Sequence, residues 1–188
     1  MFRTIVILFL FGTLLGNAFN SFHAFSGTIP VTAVHINPLL DWSSYLLFGA
    51  ASVSIGLLTL LFDKTLHKSL PVVTWPNALG ALGLLGVFYL SSACIFLGNA
   101  LILLILIFGF ILAVLLYDRS LSALLAALLI AIVGTAAEIY FVHSGMYYYA
   151  RPQIMGVTYW LPFLYGISSV ATGQLARALA SDSKKQKP

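Results

Sequence analysis

One acidic residue lies well inside an apolar stretch, and it is the first candidate for chemistry. Glu138 interrupts the run "AIVGTAAEIYFVHSG", and a carboxyl group inside a membrane span is costly enough to suggest function by default. With His143 or Tyr147 nearby, it could act as the acid in an intramembrane reaction on an isoprenoid or lipid. It could equally contact a ligand, extend outward to the membrane boundary, or pair with Arg151. The residues leave these alternatives open.

The other reactive side chains form no recognisable constellation. The four histidines have no partner at metal-ligand spacing on one helix, and the single Cys94 excludes a paired-cysteine metal site. No nucleophile elbow, phosphate loop or paired intramembrane carboxylate is present. We see no broken helices or inverted repeats of the kind transporters show. The sequence therefore predicts a non-enzymatic protein without a metal or a cofactor.

The composition places the chain in the membrane class. It is 61% hydrophobic and 7% charged, whereas soluble domains carry about 25% charged residues. The run "LILLILIFGFILAVLL" is apolar on every side, as a lipid-embedded helix is, while a barrel strand would alternate. The basic residues are scattered singly apart from "KKQK", which excludes a nucleic-acid surface. We predict an all-α, polytopic membrane protein.

The hydrophobic pattern predicts six membrane spans in a single transmembrane domain over residues 1–180, followed by a disordered basic tail at 181–188. The third and fourth spans form a tight hairpin around "LGNA", with one overlong tilted helix as the alternative. The first span also resembles a signal peptide, but its apolar stretch favours a retained helix. The six spans are Phe2–Phe19, Ser43–Phe62, Asn77–Leu97, Ala100–Tyr117, Leu121–Val142 and Thr158–Ala180.

The distribution of basic residues predicts the orientation. With both termini in the cytosol, only Arg151 lies on the opposite side, a strong positive-inside bias. The membrane would be the endoplasmic reticulum in a eukaryote and the plasma membrane in a prokaryote. The residues assigned to the cytosolic side are Arg3, Lys64, Lys68, Arg119, Arg177, Lys184, Lys185 and Lys187.

A charged turn separates the fourth and fifth spans in "LLYDRSLSALL". On position alone, Asp118 and Arg119 are expected to be solvated rather than buried. Asp118 or Ser120 could also cap the fifth helix by accepting its unpaired backbone amide protons.

The turn begins an ordered set of motifs, "YDRSLS", "HSGMYYYARP" and "YWLPFLYGISSVATGQLARAL". Together they resemble the C-terminal half of the Insig family of membrane regulators. Gln174 and Ala176 depart from the family pattern, and the long segment before the first helix of animal members is missing, as in a short or prokaryotic-like homologue. The matching residues are Asp118, Arg119, Ser120, Gly145, Tyr147, Tyr149, Pro152, Trp160, Leu161, Pro162, Gly173 and Arg177.

The resemblance implies a lipid- or sterol-sensing regulator of sterol synthesis in the SREBP pathway. Such a protein would bind an oxysterol, or a membrane lipid such as diacylglycerol, between its helices. Where one exists, it would hold a sterol-sensing-domain partner, Scap-like or HMG-CoA reductase. The resemblance implies a role in partner binding, or in holding the turn, for Asp118, with Arg119 and Ser120 beside it.

Candidate lipid-binding residues come from the family motif and from small or aromatic side chains. Glycines provide close helix packing or, alternatively, a groove for a flat lipid ring. Tyrosine and tryptophan near the outer edge form either an interfacial belt or a ligand contact. A homo-oligomer is also possible. The candidates are Glu138, Gly145, Tyr147, Tyr149, Trp160, Gly173, Gln174, Gly80 and Gly83.

Overall fold

The computed structural model describes residues 2–29, 42–67 and 73–185. Within these ranges the chain forms a bundle of six long helices, in agreement with the predicted all-α architecture. The first helix contains a π-helical turn at Gly12–Gly16. The helices are α1 (Phe2–Phe25), α2 (Trp42–His67), α3 (Trp75–Ser92), α4 (Asn99–Tyr117), α5 (Leu121–His143) and α6 (Leu161–Lys185).

Four stretches are long and apolar enough to cross a membrane, counted over the described ranges alone. They are α1, residues Ser43–Leu66 of α2, α4 and α5. Lipid tails offer no hydrogen-bond partner to backbone N–H and C=O groups. Each span is therefore a helix, in which these groups bond to each other. The chain is therefore an integral membrane protein.

The helix with the most polar side chains lies at the centre. Residues 169–179 of α6 are all buried, and α6 contacts each of the other five helices. It carries Gln174 and Arg177 in this buried stretch. A polar helix is tolerated in a membrane when neighbouring helices shield it and supply hydrogen-bond partners. The fold thus places the polar groups of α6 inside the protein.

Close contacts at glycines bring the helices together. A Cβ atom added at Gly134 of α5 would lie 2.7 Å from the ring of Tyr165 on α6, and one at Gly109 of α4 would lie 2.6 Å from Phe88 on α3. No such atom fits without movement of the ring. Small residues at these positions let large aromatic side chains fill the helix interfaces.

The α3–α4 hairpin is present and excludes the single overlong helix. The third helix begins at Trp75, where the Thr74 side chain accepts a hydrogen bond from the Asn77 amide. It ends at Ser92 rather than at Leu97. A 3₁₀ turn follows, and Gly98, with φ of +75°, redirects the chain into α4. Glycine adopts this backbone conformation without strain.

Three helices extend at least five residues beyond their predicted C-terminal ends, and α2 does so by continuing to His67 instead of Phe62. Helix α1 continues to Phe25 instead of Phe19, because its last turns pack against α3 and bury His23. Helix α6 continues to Lys185, which corrects the disordered tail predicted from residue 181. The Asp182 carboxylate accepts a hydrogen bond from Nε1 of Trp75 at 2.7 Å, so tertiary contact accompanies the added turn. The remaining tail, residues 186–188, lies outside the described residues.

Candidate functional site

A buried arginine of α6 binds two carboxylates from other parts of the chain. Nε and Nη2 of Arg177 donate to Oδ2 and Oδ1 of Asp63 at 2.6 and 2.7 Å. Nη1 forms an ion pair with Asp118. The exposed fractions of the Arg177, Asp63 and Asp118 side chains are 1%, 0% and 8%. We call these three residues the charge cluster; it ties α2, the α4–α5 turn and α6 together.

Neighbouring residues donate further hydrogen bonds to both carboxylates of the charge cluster. The Ser122 hydroxyl donates to Asp63 at 2.6 Å. The amide and hydroxyl of Ser120 both donate to Oδ1 of Asp118, at 3.1 and 2.6 Å. Nε2 of Gln174 donates to Oδ2 of Asp118 at 3.2 Å. Buried charges persist in proteins when they are paired and hydrogen-bonded in this way.

The expectation that Asp118 is solvated is wrong, because the bundle brings Arg177 against the turn. The cap of α5 is Ser120, whose hydroxyl accepts a hydrogen bond from the Ala123 amide. Asp118 instead orients Ser120 and pairs with Arg177. Arg119 is the exposed member of the turn, and its Nε donates to the carbonyl of Leu115 at 2.8 Å. Of the three turn residues, Arg119 therefore presents its side chain outward.

Sequence reasoning missed Asp63, which lies one residue past the predicted second span, Ser43–Phe62. Asp63 lies inside α2, which extends to His67. The available signal was the acidic residue itself, since "LLFDK" continues an apolar helix and a carboxylate there needs a partner. The partner, Arg177, is 114 positions away in the chain, so no local pattern connects them.

At the opposite end of the bundle, three tyrosine hydroxyls converge on Glu138. Tyr149 donates to Oε2 at 2.9 Å and Tyr165 to Oε1 at 2.7 Å. Tyr147 also donates to Oε2. We call these four residues the tyrosine cage. It joins α5, α6 and the loop between them, and it includes Tyr165, which the sequence analysis did not select.

The contacts of Glu138 distinguish between its predicted roles. In the described residues no ion pair forms between Glu138 and Arg151, whose Nη1 donates to the carbonyl of Ile95 at 3.0 Å. Both oxygens of the carboxylate accept hydrogen bonds from tyrosines. His143 is exposed, and its ring bonds the Ile139 carbonyl. Of the two proposed neighbours, only Tyr147 meets Glu138.

The two loop tyrosines of the cage are held in the protonated state. Burial raises the pKa of Tyr147 well above its usual range, and the Glu138 carboxylate raises it further. The same causes, in the same order, raise the pKa of Tyr149. A hydroxyl ionises less readily when it is desolvated beside a negative charge. At neutral pH both side chains are therefore hydrogen-bond donors.

The loop between α5 and α6, residues 144–160, closes this end of the bundle. The Ala150 amide donates to the Thr28 carbonyl at 3.0 Å, at the end of α1. Asn99 links the start of α4 to the loop by donating to the Arg151 carbonyl at 3.0 Å and accepting from Nε1 of Trp160 at 3.3 Å. Gly145 has φ of +76° at the start of the loop, a conformation that glycine adopts without strain.

Most of the selected aromatic residues are not an outward-facing belt. Tyr149 and Trp160 are buried and pack edge to face, with ring centroids 6.4 Å apart. Tyr148 is exposed, as an interfacial belt requires. The belt interpretation therefore does not apply to Tyr149 and Trp160, which belong to the core.

The selected glycines divide into packed and open positions. A Cβ atom at Gly80 would lie 2.8 Å from the Tyr117 hydroxyl, and one at Gly173 would lie 3.0 Å from Thr59. At Gly83 nothing lies within 4 Å of such an atom. The first two glycines thus accommodate neighbouring side chains, whereas Gly83 leaves open surface.

A buried histidine adds a third polar contact that the sequence analysis did not single out. His23 Nε2 lies 2.8 Å from the Ser92 hydroxyl, and its ring stacks on Tyr89 with centroids 4.8 Å apart. Across the described part of the chain, no group of three His, Cys, Asp or Glu residues could hold a metal ion. The polar residues instead connect helices at both ends of the bundle, which lie roughly 25 Å apart along α5 from Leu121 to Glu138.

Part of the chain is similar in sequence to known proteins. No protein-family model matches the chain. It is 34% identical over 64 residues to "Insulin-induced gene 1 protein" of Gallus gallus, covering 34% of this chain and 25% of that protein. For the Xenopus tropicalis protein the identity is 31% over 70 residues, covering 37% and 28%. For the Homo sapiens protein it is 33% over 64 residues, covering 34% and 23%. The chain thus matches about a quarter of the length of these curated relatives.

Two solved structures have the same fold over the whole chain. A cross-linked trimer of MvINS superposes with a TM-score of 0.83 at 23% identity, covering 100% of this chain and 97% of that one. The mycobacterial Insig homologue MvINS from Mycobacterium vanbaalenii gives a TM-score of 0.81 at 22% identity, with the same coverage.

The fold defines a polytopic membrane protein built as a helical bundle around a polar central helix. Within that class the chain is similar to Insulin-induced gene 1 proteins over one segment of about a third of its length, and it shares its fold with a mycobacterial Insig homologue. The resemblance predicted from the sequence motifs is confirmed.

Proposed function

We propose that this chain is a non-enzymatic, lipid-sensing membrane regulator of the Insig type. It binds an oxysterol or another membrane lipid, such as diacylglycerol, between its helices. The observation that carries the proposal is the Insig-type fold over the full chain, in which buried polar residues join helices to each other. Such an arrangement suits a scaffold with alternative helix packings that a hydrophobic ligand can bias.

A sensing role sets a thermodynamic requirement. The lipid must bind the competent arrangement more tightly than the alternative, since equal affinity for both shifts nothing. A preference of about 1.4 kcal/mol changes the population tenfold. The candidate lipid contacts remain those selected from the sequence, and Gly83 is the one glycine among the helical candidates that leaves an open surface in the structure.

The partner in this proposal is a membrane protein with a sterol-sensing domain, where the host has one. Asp118 supports that contact indirectly, because its oxygens are engaged by Arg177, Ser120 and Gln174. It holds the turn in shape while the exposed Arg119 faces outward. We place this turn and both chain ends on the cytosolic side, following the basic residues. The cross-linked trimer formed by MvINS makes a homo-oligomer part of the proposal.

Native mass spectrometry of the detergent-purified protein tests the ligand proposal. We expect an unaltered lipid to remain bound, with an added oxysterol or diacylglycerol competing for the same stoichiometric site. Protein that carries no lipid and binds neither competitor would contradict the sensing role. The same spectra report the number of copies in the complex.

Co-purification tests the partner proposal. Asp118→Asn should weaken capture of a sterol-sensing-domain partner through loss of the Arg177 ion pair, and the matched control Asp182→Asn should not. Equal capture by the two variants would show that the turn plays no part. Circular dichroism of both variants confirms that the helical content is unchanged.

The contact between Tyr147 and Glu138 favours one second candidate, an intramembrane enzyme that acts on an isoprenoid or lipid. Its weakness is that both oxygens of Glu138 already accept tyrosine hydrogen bonds. An enzyme would turn over an added lipid substrate and lose that activity in Glu138→Gln. A regulator would return the lipid unaltered.

A further inference from the structure

A tight turn in the loop between α5 and α6 presents two large apolar side chains to the exterior. Ile154 and Met155 are 53% and 64% exposed. The amide of Ile154 donates to the Val157 carbonyl at 3.0 Å, and the amide of Val157 donates back at 2.9 Å. The two central residues, Met155 and Gly156, have φ of +50° and +85°. This is the geometry of a two-residue hairpin turn with both central residues left-handed.

Methionine is an unusual residue for that backbone conformation. Asn, Asp and Gly adopt positive φ readily, whereas a side chain of this size strains the left-handed region. Met155 is the only non-glycine residue with positive φ in the described ranges. Strain that persists in a fold is a reason to look for a use of the residue that bears it. The use must involve the long apolar side chain, because a smaller polar residue would suit the turn better.

The base of the turn is fixed, so its tip cannot fold back onto the protein. Val157, Thr158 and Trp160 are buried. The Gln153 amide donates to the Val157 carbonyl at 2.9 Å, which continues the pairing below the tip. A rigid base therefore holds Ile154 and Met155 outward.

The turn lies where α5 reaches the edge of the membrane. A Cβ atom at Gly156 would be 2.8 Å from Cγ1 of Val142, so the turn packs directly on the last turns of α5. Tyr140, two residues earlier on that membrane-crossing helix, is 69% exposed. The same Cβ atom would lie 4.0 Å from Cε1 of His143, which is exposed and three residues after Tyr140, so the turn borders the exposed face of α5.

The chemistry of the loop fits lipid better than a charged partner. Arg151 is the only charged residue between positions 144 and 160, and Met146 and Tyr148 add further exposed apolar or aromatic surface. Apolar and aromatic side chains at this depth favour the boundary between headgroups and acyl chains.

We propose that the Ile154–Met155 turn is a membrane-inserted wedge, seated among phospholipids of the leaflet on the side of the tyrosine cage. The wedge goes beyond the proposed sensing function and does not depend on it. It anchors the loop that carries Tyr147 and Tyr149, so insertion holds these two donors against Glu138.

Fluorescence quenching in liposomes tests the wedge. A Cys94→Ala background removes the single native cysteine. Cysteine is then introduced in separate proteins by Met155→Cys, by Ile154→Cys, and by Gln153→Cys as the matched control, and each is labelled with the polarity-sensitive dye NBD. The proteins are reconstituted in phosphatidylcholine vesicles with or without a nitroxide-labelled phosphatidylcholine.

We expect the dyes at 154 and 155 to show blue-shifted emission, strong quenching by the nitroxide lipid, and severalfold weaker quenching by aqueous iodide than the dye at 153. Iodide quenching at 155 equal to that at 153 would overturn the proposal. Protection from both quenchers would also overturn it, because a second copy of the chain or another protein would then cover the turn. Lipid sensing can fail in its own assay without changing this result.

Discussion

Replacing Arg177 with leucine removes the guanidinium that two buried carboxylates share. Asp63 would lose both hydrogen bonds from Arg177 and keep the Ser122 hydroxyl. Asp118 would lose its ion pair but keep its bonds from Ser120 and Gln174. The variant thus leaves unpaired charge inside the bundle and should destabilise it.

The size of the expected loss in unfolding free energy follows from the burial of the charge cluster. Removing one partner of a buried ion pair costs about 3–5 kcal/mol, because the other charge remains unpaired. Here two carboxylates are left, so Arg177→Leu should lower the free energy of unfolding by an amount in that range. Asp63→Asn should cost less, about 1–3 kcal/mol, since Arg177 keeps its ion pair with Asp118.

The assay is reversible unfolding in mixed detergent and dodecyl sulfate micelles, followed by circular dichroism. The double variant Arg177→Leu, Asp63→Asn should lose less stability than the sum of the two single losses, with a coupling energy of about 1–3 kcal/mol. Arg119→Leu is the matched control, because this arginine is exposed and lies outside the charge cluster. Its loss should change stability by no more than about 0.5 kcal/mol.

Two results would refute this reasoning. If Arg177→Leu were no less stable than Arg119→Leu, the charge cluster would contribute nothing to the bundle. If the double variant lost the full sum of the two single losses, Asp63 and Arg177 would act independently, and the geometry that joins them would have no energetic consequence.

The remaining predictions concern the tyrosine cage, the helix cap and the packed glycines. Glu138→Gln should lower the melting temperature in detergent more than Tyr165→Phe does. The new amide group meets three hydroxyl donors, whereas Tyr165→Phe removes one hydrogen bond worth about 0.5–1.5 kcal/mol. A larger loss in Tyr165→Phe would contradict the proposed role of the tyrosine cage. Ser120→Ala should cost about 1–2 kcal/mol in the unfolding assay by removing the α5 cap, and an unchanged midpoint would show that the cap is dispensable. Gly134→Ala should lower the free energy of unfolding by about 1–3 kcal/mol, because the added methyl group overpacks the contact with Tyr165. Gly83→Ala, at an open position, should be neutral or stabilising. Equal effects in the two variants would argue against the close contact at Gly134.

The membrane class and the six helices follow from the sequence alone. The long runs in α4 and α5 are apolar on every side, and in a bilayer such a run forms a membrane-spanning helix. Helix ends were less predictable, because α1 and α6 are extended by contacts with α3 that no local pattern contains.

The candidate site was predictable in part. Glu138 and the motif residues Tyr147 and Tyr149 were selected by type and position, and the structure brings all three together. Tyr165 was not selected, since an aromatic residue in an apolar helix has no distinguishing signal in the sequence. Its role depends on the approach of α6 to α5 at Gly134.

The sequence by itself determined that the chain crosses a membrane as a helical bundle and that it resembles the Insig family, because hydropathy and motif spacing are local properties. Only the tertiary structure decided which charges are buried. Asp63, Asp118 and Arg177 come from three separate segments, and each alone resembles a solvated residue near a helix end. Packing around α6 removes them from water, and a buried charge is stable only when the fold brings its partner to it.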